Sequence, residues 1–167
     1  MTEYPVLMVF PFAMALAGAM DFLTFSIPNR VSAGLAIGFL LTLVVTNIEW
    51  TPILVHLVTG LAVLIAGFAM FVRGWIGGGD AKFMAATTLW LGFENLPSFL
   101  LWTTLLGGVL AIILLAYRRT LPPLWLFRQP WAMRLHDPKE GIPYGVAIGG
   151  AGLIVYPQTI WMTGIAG

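Results

Sequence analysis

An all-α, polytopic membrane protein is the fold class that three features of this sequence predict. First, 59% of the 167 residues are hydrophobic and 9% are charged, against roughly 25% charged in a soluble domain. Second, the apolar residues fall in runs close to the ~20 residues a helix needs to cross a bilayer. Third, when those runs alternate across the membrane, all eight lysines and arginines land on one side, as the bias of basic loops toward the cytoplasm predicts.

The runs number six, so about six transmembrane helices are expected. The first covers 5–25 with Asp21 as its only charge, the second 31–48 and the third 52–72, each with proline or charge near its ends. The fourth, 81–93, covers about 20 Å at 1.5 Å per residue, less than a ~30 Å hydrocarbon core, so its start is expected below the membrane surface. The fifth covers 96–117 and the sixth 142–162.

Alternation places Arg30, Arg73, Lys82, Arg118, Arg119, Arg128, Arg134 and Lys139 on the cytoplasmic side, and Glu3, Glu49 and Glu94 opposite, with both termini outside. Trp50, Trp90, Trp102 and Trp161 are expected at the outer boundary and Trp75, Trp125 and Trp131 at the inner one, where indoles meet the headgroups. The connection from Arg118 to Glu140 interleaves arginines with Leu124, Trp125, Leu126, Phe127, Trp131 and Met133, and Pro122, Pro123 and Pro130 divide it. It reads as a segment on the membrane surface, either a plain connector or a receiving surface for a substrate helix. Glu3 replaces the basic start of a secretory signal, so the first run is read as retained. No repeat divides the chain, and 1–167 reads as a single transmembrane domain.

Composition excludes several functions. Without cysteine there is no disulfide framework, thiolate metal site or cysteine nucleophile. A net charge of +1 without a clustered basic face argues against a nucleic-acid partner. His56 and His136 stand apart from any carboxylate cluster at ligand spacing, so no metal and no cofactor is expected.

The chemistry concentrates in two aspartates. An aspartate at mid-membrane costs on the order of 3 kcal/mol, so such a residue lines a protein interior or cavity. Asp21 lies near the end of the first run, and Asp80 stands at the start of the fourth after the break Gly74-Trp75-Ile76-Gly77-Gly78-Gly79. The first run travels inward and the fourth outward, so the two carboxylates share a depth. Close together they would share a proton, one serving as base and the other as acid. The glycines, Gly77 and Gly79 among them, permit close backbone approach and conformations barred to other residues. Lys82 reads as a snorkelling anchor, with a direct role as the alternative. Pro28 and Asn29 suit the turn between the first two helices, with Asn29 capping the second, while Pro143 suits the first turn of the sixth and Gly145 its entry.

Three motifs extend this reading. Gly77-Gly78-Gly79-Asp80 matches the Gly-x-Gly-Asp motif of intramembrane aspartic proteases, Asp21 is followed by Ile27-Pro28-Asn29, and Gly141-Ile142-Pro143-Tyr144-Gly145 comes last. In this order the chain resembles a prepilin peptidase (type IV leader peptidase), in the short form without an amino-terminal methylation domain. The resemblance implies a six-helix protease of the prokaryotic cytoplasmic membrane. It would remove the short basic leader of a pilin or pseudopilin precursor at the cytoplasmic face, with Asp21 and Asp80 as its catalytic pair and the precursor's hydrophobic helix lying in the surrounding lipid. Longer relatives carry a cysteine-containing region linked to methylation, which this chain lacks, so methyl transfer is not expected. Where relatives often have basic residues after the first aspartate, this chain has Phe22-Leu23-Thr24-Phe25-Ser26, a departure that bears on substrate preference.

Two readings from other classes compete. A small ion-coupled transporter would use the same aspartates as proton or cation sites, with the glycine break forming a discontinuous helix. A noncatalytic pilus assembly factor would bind precursor without shortening it. A eukaryotic-type Gly-x-Gly-Asp protease fits less well, because the chain lacks the Pro-Ala-Leu motif of that group.

Overall fold

The computed structural model describes residues 7–45, 50–120, 123 and 125–162, with the backbone alone at 45 and 127. Every regular element among them is helical: α1 (Val9–Thr24), α2 (Asn29–Val45), α3 (Trp50–Val72), α4 (Gly78–Arg118), α5 (Pro130–His136) and α6 (Tyr144–Val155), with 3-10 turns at Leu126–Arg128 and Tyr156–Gln158. The all-α expectation holds. By length and composition α3 and α4 can cross a membrane, while α1 and α2 are apolar but shorter. Helix length therefore supports two spans, fewer than the six expected. One reason is that α4 joins the fourth and fifth runs; another is that α6 stops at Val155, where Pro157 follows in the 3-10 turn. The start of the first run and the end of the second, with Glu3, Glu49 and both termini, lie outside the described residues.

Only 28% of the most apolar window of α3 and 22% of that of α4 is buried. Most of the large side chains in these windows face outward, the reverse of a core helix in a water-soluble protein. Inward, the core gathers Phe10, Met14, Leu35, Phe39, Phe83 and Trp90. Trp90 and Trp161 were expected at the membrane boundary and instead lie inside this core. Their indole N–H groups donate to the carbonyls of Leu35 and Trp90, at 2.9 and 2.6 Å.

α4 folds back on itself. At Gly92 the backbone takes φ 72°, ψ 178°, a region essentially reserved for glycine. A helix that breaks leaves its last carbonyls without partners, and here three side chains take them. His56 donates from Nδ1 to Leu89 O at 2.6 Å, Trp161 donates to Trp90 O, and Asn95 donates to Leu91 O at 2.9 Å. The two ends of α4 consequently meet one loop: Asp80 and Gly141 line the same cavity, and Arg118 donates to Gly141 O. A Cβ at Gly92 would lie 2.8 Å from His56 Nε2. Gly92→Ala is expected to destabilise the fold by about 3 kcal/mol, combining backbone strain with the clash. Thermal unfolding in detergent measures this, and an unchanged midpoint would remove the role given to the break.

The connection after α4 packs back through Ala132 and Leu135 of α5, and Trp131 meets the Phe22 ring at 5.8 Å. Pro122, Leu124 and the side chain of Phe127 lie outside the described residues.

Candidate active site

α1 buries Phe10, Ala13, Met14, Ala17 and Asp21, a single face at helical spacing. Asp21, only 4% exposed, is thus the last residue of the stripe that packs on α6. The approach there is close: a Cβ on Gly149 would lie 2.7 Å from Met14 O. One turn earlier on α6, the Gly145 N–H donates to Asp21 Oδ2 at 2.6 Å. This amide belongs to the first turn of α6, where N–H groups have no partner within the helix and favour an anion. Immediately after Asp21 the chain leaves the helix through Phe25 in the left-handed region (φ 54°), whose N–H donates to Asp21 O.

The glycine-rich break does several distinct jobs. Gly74 (φ 72°) ends α3: its N–H donates to Phe71 O and that of Trp75 to Met70 O, the paired bonds of a Schellman stop. Gly77 then caps α4 in ordinary extended geometry, with Asp80 at the third helical position. Of the glycines in the break, Gly74 takes a conformation barred to most residues, while Gly77 does not. Positive φ falls at Gly74 and Gly92. What Gly77 provides is proximity, since a Cβ there would lie 2.9 Å from Asp80 Oδ2. At Gly79 a Cβ would make only ordinary contact with Ile27.

Asp21 and Asp80 line one cavity of about 760 Å³ and are near enough to interact through space. Its walls come from Phe25 to Asn29, from Gly74 to Asp80, and from Glu140 to Tyr144. Gly77, Gly79, Pro28, Asn29 and Pro143 stand in those walls, and Gly145 lies behind them on Asp21. Lys82 does not line this cavity; its ammonium donates to Asn29 Oδ1 at 3.1 Å. Asn29 is itself the first residue of α2, so its side chain ties α2 to α4 in place of the expected cap. Pro143 sits one position before α6 rather than within its first turn. Among the described residues no three His, Asp or Glu side chains form a metal-binding group.

Residues 8–112 match the model of the type IV leader peptidase family. The chain belongs to the type IV leader peptidase family. No significant match appears among curated proteins or among solved structures. The region matched to the leader peptidase family holds both aspartates and stops before the third motif. The family indicates a peptidase, and the cavity is of a size that holds a peptide segment, within the ~300–1,000 Å³ usual for ligand sites.

Two contributors are not evident in the sequence of this family member. Glu140 is a third carboxylate lining the cavity, and its place beside Gly141 was the available signal. Arg118, read only as a topological charge, donates to Leu135 O, Glu140 O and Gly141 O, each at 2.9 Å. It thereby holds the loop that leads into Gly145. Arg118→Lys keeps the charge and loses the planar fork, so peptidase turnover is expected to fall about tenfold. Full turnover in that variant would show that the loop holds its place without the fork.

Proposed function

We propose that this chain is an intramembrane aspartic endopeptidase that removes the leader of type IV pilin-like precursors, with Asp21 and Asp80 as the catalytic pair. One carboxylate takes a proton from water, whose oxygen attacks the peptide carbonyl. The other protonates the departing amine as the C–N bond breaks. The observation that carries the reading is that two aspartates from separate helices line one cavity, Asp21 receiving the Gly145 N–H and Asp80 standing in the first turn of α4. The acidic lining, without lysine or arginine, suits a basic leader.

The whole chain, 1–167, serves as one peptidase domain crossing a prokaryotic cytoplasmic membrane about six times, with both termini outside. The reversal of α4 at Gly92 supports two crossings where helix assignment gives one element. The cavity's end of the bundle faces the cytoplasm, consistent with Arg73, Lys82, Arg118 and Arg134 in or beside its framework. Proton-coupled transport by the same carboxylates is the reading it has to beat. Reconstitution with a pilin precursor, followed by product mass, tests the proposal. A product shortened by its leader is expected. No cleavage of several precursors, together with proton flux in sealed vesicles, would replace protease with transporter.

A further inference from the structure

Between α2 and α3, on one face of the first half of α4, lies a second cavity of about 490 Å³. It exists because both helices pack on α4 with hardly a contact between them among the described residues. Ala33 and Ala36 of α2, Leu61 and Leu64 of α3, and Ala85 and Leu89 of α4 give it an apolar lining. Asn29 and Lys82, bonded to each other, stand at one end. Asn29 also lines the aspartate cavity, so the two spaces share one lining residue.

The walls run in a common direction. From Asn29 to Ala36, from Lys82 to Leu89 and from Leu64 back to Leu57, each covers about two turns, ~10 Å at 1.5 Å per residue. The groove therefore leads away from the aspartates along the helices and into the apolar zone.

We propose that this groove docks the first two turns of the precursor's apolar helix beyond the bond that is cut, an inference that rests on the peptidase reading above. A bond held at Asp21 and Asp80 must continue into an apolar helix within the bilayer, and the groove is an apolar surface continuous with that point. Its alanines let another helix backbone come close, which is how helices associate where lipid removes the hydrophobic drive. The start of the docked helix has amides without partners, and the extended segment before it has free carbonyls. Asn29 supplies an acceptor and Lys82 supplies donors at the junction.

Photo-crosslinking provides the test. The Asp80→Asn chain, carrying a photoreactive residue at position 61, is reconstituted with uncut precursor in phosphatidylethanolamine and phosphatidylglycerol vesicles. Leu61 is 58% exposed, and Val109, 54% exposed on the second half of α4 and outside the groove, is the control position. Adducts from position 61 are expected on the precursor within two turns of the cleavage site, with none from position 109. In the otherwise natural chain, Ala36→Phe fills the groove and is expected to raise KM for the precursor about tenfold while kcat stays within about twofold. Adducts with phospholipid alone, equal precursor adducts from position 109, or an unchanged KM would overturn the proposal. If Ala36→Phe does not fold, the adduct map decides. Failure of the natural chain to cleave any precursor would instead strike the peptidase reading, which the adduct map does not measure.

Discussion

Asparagine in place of either Asp21 or Asp80 is expected to lower precursor cleavage by on the order of 10³-fold or more, because each variant removes one of the two groups proposed to act as a unit. Asparagine preserves size while removing the ionisable proton. Both variants should still bind precursor, since their losses belong to the chemical step. The double variant should be little worse than either single one, as a shared function predicts. The measurement is initial rate by product mass in proteoliposomes. Retention of ordinary turnover in either single variant would reject the pair.

Gly145→Ala, which alters no ionisable group, is expected to reduce cleavage by about a hundredfold. The added methyl would lie 2.8 Å from Asp21 Cβ and Oδ2 and 2.7 Å from Ile27 Cδ1. Relief requires the start of α6 to retreat, breaking the 2.6 Å bond from Gly145 N–H to Asp21. A displacement near 1 Å at a reacting group costs on the order of 10²-fold. Gly79→Ala is the comparison, because its methyl would make ordinary contact with Ile27 at 3.5 Å or more, and its loss should be much smaller. Equal losses in the two variants would mean that the glycines matter for some reason other than proximity to the carboxylates.

How far the site could be read from sequence differs from residue to residue. Asp21 and Asp80 were legible because isolated carboxylates in apolar runs are costly unless they are gathered inside protein. The break between the fourth and fifth runs was legible from the charge of Glu94 between them, although the residue that turns the chain is Gly92. His56 and Trp161 were not legible as its partners. Their bonds to Leu89 and Trp90 carbonyls span 33 and 71 residues, and no local pattern announces a contact with backbone. Trp90 and Trp161 were misplaced for a related reason: an indole near the end of an apolar run suits either an interface or a core whose carbonyls need a donor. The spacing of Gly145, Gly149 and Gly152 marks a helix face built for close approach. That pattern was present in the sequence, but the identity of α1 as its partner required the fold.

The bond between Gly145 and Asp21 also has a consequence for how the protein is made. Its two members are separated by 124 residues, a delay of roughly 6 to 25 s at synthesis rates of 5–20 residues per second. During that interval α1 through α4 can enter the membrane while Asp21 lacks its amide and the cavity lacks the wall from Glu140 to Tyr144. A nascent chain in this state holds both carboxylates without the geometry to use them. Arrival of α6 completes the cavity, so under the proposed function proteolytic competence appears with α6, and a chain truncated before it lacks the amide and the wall that the two aspartates would need.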